Sequence, residues 1–126
     1  MTTILVAEDE RDIRELIAFT LRLGDFEVEE ATNGLEAVEK ARKLRPDLII
    51  MDVRMPKMTG YEACQALKET DETRDIPIVF LSAKGQETEI KYGMELGAVD
   101  YILKPFEAEQ LPKRMTEILE TLRHNK

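Results

Sequence analysis

Pro46-Asp47-Leu48-Ile49-Ile50-Met51-Asp52-Val53-Arg54-Met55-Pro56-Lys57-Met58-Thr59-Gly60 contains the run that decides the fold. Its apolar core, Leu48 to Met51, stands between Pro46-Asp47 and Asp52. A short apolar run bounded by polar or turn residues reads as a strand. One without alternation suits a strand buried on both faces of a parallel sheet. Pro46 ends whatever helix precedes it, because the residue before a proline is pushed out of helical geometry. Thr59-Gly60 opens a helical segment carrying Ala63, Cys64 and Leu67.

The same alternation continues on both sides. Upstream, apolar runs lie at Ile4 to Ala7 and at Phe26 to Ala31; downstream they lie at Ile76 to Leu81 and Val99 to Leu103. The run from Phe26 alternates Phe26, Val28 and Ala31 with Glu27, Glu29 and Glu30, which suits a strand nearer an edge. Helical spacing fills the gaps. Ile13, Leu16, Ile17 and Leu21 keep one rhythm, with Gly24 as its stop. Asn33-Gly34 opens a segment with Val38, Ala41 and Leu44, and a fourth runs from Gln86 to Leu96 and stops at Gly97. The fifth, from Ala108 to Arg123, puts Leu111, Met115, Ile118, Leu119 and Leu122 on one face. Pro112 removes an N–H there and is expected to bend or delay the helix start.

Strands alternating with helices through right-handed crossovers predict an α/β fold with helices on both faces of a parallel sheet. The expected form is the doubly wound, flavodoxin-like (βα)5 fold, with a five-stranded parallel sheet of order 2-1-3-4-5. Residues 1–126 read as one domain. Met1-Thr2-Thr3 leads into the first apolar run with no basic segment, and no stretch approaches the roughly 20 apolar residues of a membrane span. A cytoplasmic protein with no membrane partner is expected. The lone Cys64 fits a reducing compartment and reads as a small buried hydrophobe. The net charge of −8 argues against direct nucleic-acid binding, since phosphate contacts need Lys and Arg. His124 reads as a solvated tail residue.

In open parallel sheets, sites form beyond the carboxyl ends of strands, where strand order reverses. The residues there are Glu8, Asp9 and Glu10 after the first run, Asp52 after the third, Ser82 after the fourth, and Lys104 followed by Pro105 after the fifth. Each has an ordinary alternative: Glu10 and Asp12 suit helix caps, Ser82 a turn, Lys104 a surface lysine. Their coincidence at one end outweighs those alternatives. Glu8, Asp9 and Asp52 should converge. Crowded carboxylates raise one another's pKa unless compensated, and Mg2+ (or Mn2+) is the natural compensation. With Lys104 as cation and Ser82 as hydroxyl donor, the set suits a phosphoryl group, with Asp52 as the carboxylate nucleophile.

These residues carry a resemblance. The chain resembles the response-regulator receiver domain of two-component signalling from Ile4 to Leu122. The matching stretches are Ile4-Leu-Val-Ala-Glu8-Asp9-Glu10, Ala31-Thr-Asn33-Gly34-Leu-Glu36-Ala37, residues 46–60, Ile78-Val-Phe-Leu-Ser82-Ala83, and Gly93 to Phe106. The resemblance implies that Asp52 is phosphorylated by a sensor histidine kinase or histidine phosphotransfer protein. It implies that Asp9 and Asp52 bind Mg2+ directly, with Glu8 acting largely through water and the backbone carbonyl of Arg54 completing the set. Lys104 and Ser82 would hold the phosphoryl oxygens, and Tyr101 would be the aromatic switch. The surface of the fourth helix, fifth strand and fifth helix would then control a protein target or fused output, as a monomer or a phosphorylation-dependent dimer.

Some positions qualify the pattern. Glu8 stands where Asp is commoner. Arg54 and Lys84 each follow an active-site residue by two and are expected at the site's mouth with Met55 and Pro105, altering phosphate lifetime. A haloacid-dehalogenase-like phosphatase carries a second Asp two residues past its nucleophile; here that residue is Arg54, so water attack should be slow. A flavodoxin-like flavin binder needs a Ser/Thr/Gly-rich loop where Glu8-Asp9-Glu10 stands. The serious alternative is a pseudo-receiver, an unphosphorylated interaction module.

Overall fold

The computed structural model describes residues 1–83 and 87–124. Strands and helices alternate: β1 Thr3–Ala7, α1 Arg11–Leu23, β2 Glu27–Ala31, α2 Gly34–Leu44, β3 Leu48–Asp52, α3 Gly60–Lys68, β4 Ile78–Ala83, α4 Glu87–Glu95, β5 Asp100–Lys104, a 3-10 turn Ala108–Gln110, and α5 Leu111–His124. The strands form one sheet in the order β2-β1-β3-β4-β5, and every pairing is parallel. This is the flavodoxin-like fold expected from the sequence.

The period-two geometry of a strand sends alternate residues to opposite faces, and two cores follow. Leu5, Ala7, Ile49, Met51, Ile78 and Phe80 pack with α2 and α3 residues such as Ala37, Ala41, Ala63 and Leu67. Ile4, Val6, Leu48, Ile50, Val79 and Leu81 pack with Ile17 and Leu21 of α1 and Leu111 and Met115 of α5. Burying each large aliphatic side chain stabilises the fold by about 1.5–3 kcal/mol. β3 is buried along its whole length, whereas β2 at the sheet edge alternates.

Helix ends show where local chemistry acts. Asn33 Oδ1 accepts from the Glu36 N–H at 2.8 Å, capping α2. Thr59 and Glu62 form a reciprocal capping box on α3. Gly24 closes α1 at φ −88, and the left-handed turn falls instead on Asp25. Pro112 sits in the first turn of α5, where a missing N–H costs least. The expected helical start at Ala108 is therefore a 3-10 turn. The fourth run begins as strand only at Ile78, because Pro77 has no N–H for the ladder. Among the described residues no helix is long and apolar enough to cross a membrane.

Candidate functional site

Parallel strands all end on one edge, so the polar residues that terminate them share that edge. Asp52 is the last residue of β3 and Lys104 the last of β5. Ser82 lies one residue inside the end of β4, and Glu8 and Asp9 follow β1. Glu8, Asp9 and Asp52 offer oxygens that lie within 4.8 Å of one another. Lys104 Nζ bridges two of them, 2.7 Å from Glu8 Oε1 and 2.5 Å from Asp52 Oδ2. Asp52 Oδ1 accepts from the Arg54 backbone N–H at 2.9 Å. Asp9, Glu10, Asp52, Val53, Arg54, Ala83 and Lys104 line a cleft of about 290 Å³.

The backbone shape that sets this edge depends on Gly60. A Cβ on Gly60 would meet the Asp52 carbonyl oxygen at 2.1 Å, so only glycine lets the start of α3 close over the end of β3. The Gly60 N–H then donates to the Val53 carbonyl at 3.1 Å.

Electrostatics mark the same place. Glu8 has no accessible surface. Burial, then its hydrogen bond and charge repulsion with Asp52, push its pKa up to about 8 against the pull of Lys104. Burial alone would lower the Lys104 pKa, but hydrogen bonds and charge attraction to Asp52 and Glu8 together raise it. Ser82 Oγ is buried and has no hydrogen-bond partner among the described residues. Three clustered carboxyl groups with one lysine between two of them, one carboxyl pushed up to about 8, form a hard-oxygen donor set with less positive charge than negative, and the buried Ser82 hydroxyl on the neighbouring strand lacks a partner among the described residues. These residues fit a hard divalent cation and a ligand rich in acceptor oxygens.

Other sequence-predicted residues fall less uniformly. Tyr101 is half-buried on β5, packed against the core under α2 and α3. Met55 is buried in that core, away from the cleft lining. The hydrophobic pull on its side chain outweighs its nearness in sequence to Asp52. Pro105, joined to Lys104 by a cis peptide bond, is exposed and also outside the lining. Arg54 does line the cleft. Lys84 and Gln86 lie outside the described residues. Cys64 is buried, and burial pushes its thiol pKa up.

Three residues of the neighbourhood were not anticipated in these roles. Glu10 occupies the N-cap position of α1 without a side-chain cap bond and lines the cleft instead. Arg14 Nη1 donates to the Glu8 carbonyl at 2.9 Å, while its Nε pairs with Glu30 at 3.2 Å. Glu89 of α4 pairs through Oε2 with Arg54 Nη2. The closeness of Arg14 to Glu8 in sequence, 6 residues, is a weak signal; nothing local links Arg54 to Glu89.

Comparison with known proteins matches residues 4–116 to the response regulator receiver domain family. Over 117 residues the chain is 42% identical to the phosphate regulon transcriptional regulatory protein PhoB of Pseudomonas aeruginosa, covering 93% of this chain and 51% of PhoB. It is 35% identical over 119 residues to the DNA-binding dual master transcriptional regulator RpaA of Synechocystis, covering 94% and 49%. The chain thus spans about half the length of the curated relatives it matches. Among solved structures, the chemotaxis response regulator CheY4 of Vibrio cholerae superposes with a TM-score of 0.87 at 36% identity, covering 94% of this chain and 98% of that one. A putative response regulator from Chloroflexus aurantiacus gives a TM-score of 0.89 at 35% identity, with the same two coverages.

The relatives overturn one expectation. The acidic charge balance argued against nucleic-acid partners, yet RpaA is DNA-binding and PhoB is a transcriptional regulatory protein. Charge was read over this chain alone, and the charge of one segment sets no limit on partners bound through another. From residues 4–116 and from fold alike, the chain belongs to the response regulator receiver domain family, a regulatory domain of two-component signalling rather than an enzyme.

Proposed function

We propose that Asp52 accepts a phosphoryl group from a phosphohistidine on a sensor histidine kinase or histidine phosphotransfer protein. The observation that carries this reading is the Lys104 ammonium bridging Glu8 and Asp52, one strand from a buried Ser82 hydroxyl with no partner among the described residues. In the transfer, an Asp52 carboxylate oxygen forms a bond to phosphorus and the donor's P–N bond breaks. The electron pair of that bond leaves with the imidazole nitrogen. Lys104 then neutralises a phosphoryl oxygen and Ser82 donates its O–H to another. Glu8, Asp9, Asp52 and the Arg54 carbonyl would hold Mg2+ or Mn2+, which supplies charge neutralisation on the phosphoryl oxygens.

The adduct stores a signal instead of turning over, because Arg54 stands where a phosphatase places its acid/base and water attack lacks a general base. Ser82 and Tyr101 pass the change to the face of α4, β5 and α5, as a phosphate biases a two-state equilibrium. By likeness to PhoB and RpaA, the downstream element is a transcriptional output that binds DNA. In this reading residues 1–126 act as one receiver in a cytoplasmic pathway. An unphosphorylated interaction module is not supported, since every carboxylate, the hydroxyl and the lysine are present, with Glu8, Asp9, Asp52 and Lys104 close together.

The test is direct. Incubation with phosphoramidate and Mg2+ should add the mass of one phosphoryl group, labile to base, and fragmentation should place it on Asp52. Asp52→Asn should abolish it. An adduct that survives in Asp52→Asn at the parent's rate would sink the assignment.

A further inference from the structure

Arg54 joins the acceptor to α4. Its backbone N–H binds Asp52 Oδ1 at 2.9 Å, Arg54 is one of the residues lining the cleft, and its guanidinium pairs with Glu89 Oε2 in the first turn of α4. The Arg54 side chain is 71% exposed and that of Glu89 only 19%. The pair is thus lopsided. Arg54 can swing into water or over Asp52, while Glu89 is half-buried against the protein. Glu89 Oε1 is buried and has no donor among the described residues, and among them Arg54 is the cation paired with the carboxylate.

The same turn of α4 has a second tie. Tyr61 of α3 donates its O–H to the Glu89 carbonyl at 2.9 Å. Its ring stands edge-on to Phe80 of β4 at 5.4 Å and to Tyr92 of α4 at 4.9 Å. Burial, with the Glu89 charge, pushes the Tyr61 pKa up to about 12, so this donor stays protonated. Beyond these ties α4 is thinly held. Gly93 is its one fully buried residue, seated where an added Cβ would lie 2.7 Å from the Phe80 ring. A helix with so little buried side chain moves at low cost.

We infer that Glu89 is a displaceable latch on Arg54: it holds the guanidinium in the unphosphorylated chain and loses it to a phosphoryl group on Asp52, freeing the first turn of α4. The inference rests on Asp52 as acceptor and names how that site regulates the helix. A phosphoryl group carries close to two negative charges and takes a guanidinium in bidentate fashion, so it outcompetes one carboxylate for an exposed arginine. Glu89 then keeps a half-buried charge without its counter-ion, which favours an outward move of that turn into water. Arg54 is a further phosphoryl-binding group beside Lys104 and Ser82, and Glu89 is its positioning residue. By linkage, whatever biases α4 outward also frees Arg54 and eases phosphorylation.

The experiment compares the parent chain with Glu89→Gln, Arg54→Ala, Arg54→Lys and the Glu89→Gln/Arg54→Ala and Glu89→Gln/Arg54→Lys double variants. Each is phosphorylated by phosphoramidate with Mg2+, followed by intact mass and by amide hydrogen exchange over residues 87–95. Glu89→Gln should raise the phosphorylation rate by about 2- to 5-fold, the worth of an exposed ion pair. The gain should vanish in the Arg54→Ala background and persist in a Glu89→Gln/Arg54→Lys chain. Exchange over 87–95 should rise on phosphorylation of the parent, and already be raised in unphosphorylated Glu89→Gln. An adduct forming on Asp52 at equal rates in all variants, or a gain that survives without Arg54, overturns the latch alone. No adduct on Asp52 in any variant overturns the acceptor reading and the latch with it.

Discussion

The Lys104 ammonium lies 2.7 Å from Oε1 of Glu8, a carboxyl group with no solvent-accessible surface. That contact is not enough to keep Glu8 ionised at neutral pH, since burial and Asp52 together hold its pKa near 8. In the metal-free protein, folding therefore takes up a proton across the window between an ordinary Glu, at 4.5, and about 8. The native state binds more protons than the unfolded state there, so stability falls as pH rises through the window and levels off above it. Urea unfolding in EDTA at several pH values measures this, and Glu8→Gln should flatten the slope. A parent chain whose stability rises over that window would contradict the buried, protonated Glu8.

Mg2+ should reverse the trend. A cation at Glu8, Asp9 and Asp52 displaces the Glu8 proton, so binding releases a proton and tightens with pH until about 8. Isothermal titration in two buffers of different ionisation enthalpy reads the proton count directly. Equal affinity at both ends of the window would place the metal away from Glu8.

Arg14 holds the acidic turn from behind, through the Glu8 carbonyl and the Glu30 carboxylate. Partners that orient a ligand without touching the metal typically contribute about 10-fold or more to affinity. Arg14→Met keeps much of the apolar stem and should weaken Mg2+ binding by about 10-fold. Helical content in far-UV circular dichroism should stay at the parent's level.

Gly60→Ala should be among the more damaging small changes. Its Cβ meets the Asp52 carbonyl at 2.1 Å, so either α3 or the end of β3 must shift. Overpacking of this kind costs about 1–3 kcal/mol, and here it also moves the acceptor, so phosphorylation should slow along with the loss of stability. A melt and a phosphoramidate time course on the same sample check both.

Thr59→Ala separates stability from chemistry. It deletes half of the α3 capping box and should cost about 1 kcal/mol in urea unfolding. Its phosphorylation rate under stabilising conditions should match the parent's, because Thr59 is outside the cleft lining. A large rate loss would mean that α3 positioning reaches Asp52 through more than Gly60.

Much of this was open to reading from residues alone. Five apolar runs, one of them alternating, are enough to order a parallel sheet, because burial on two faces demands unbroken hydrophobicity and an edge does not. Glu8, Asp9, Asp52, Ser82 and Lys104 group together from the sequence, since parallel strands present their carboxyl ends on one edge and each residue follows or ends an apolar run. Pro112 was legible as a delayed helix start, from its missing N–H.

Other features depend on distances that no local pattern encodes. Met55 is three residues from Asp52 yet turns into the core shared with α2 and α3 residues, because its apolar side chain is driven out of water. The Glu8 pKa is lifted by burial around the end of β1 and by the hydrogen bond and charge of Asp52, which is distant in sequence. The Arg54–Glu89 pair joins residues on different elements thirty-five positions apart. Strand pattern thus determined which groups meet, because it depends on hydrophobic periodicity written residue by residue. How strongly they are desolvated, and which neighbour holds each charge, was decided only when the helices closed over the sheet, because desolvation and ion pairing depend on three-dimensional separation and local dielectric.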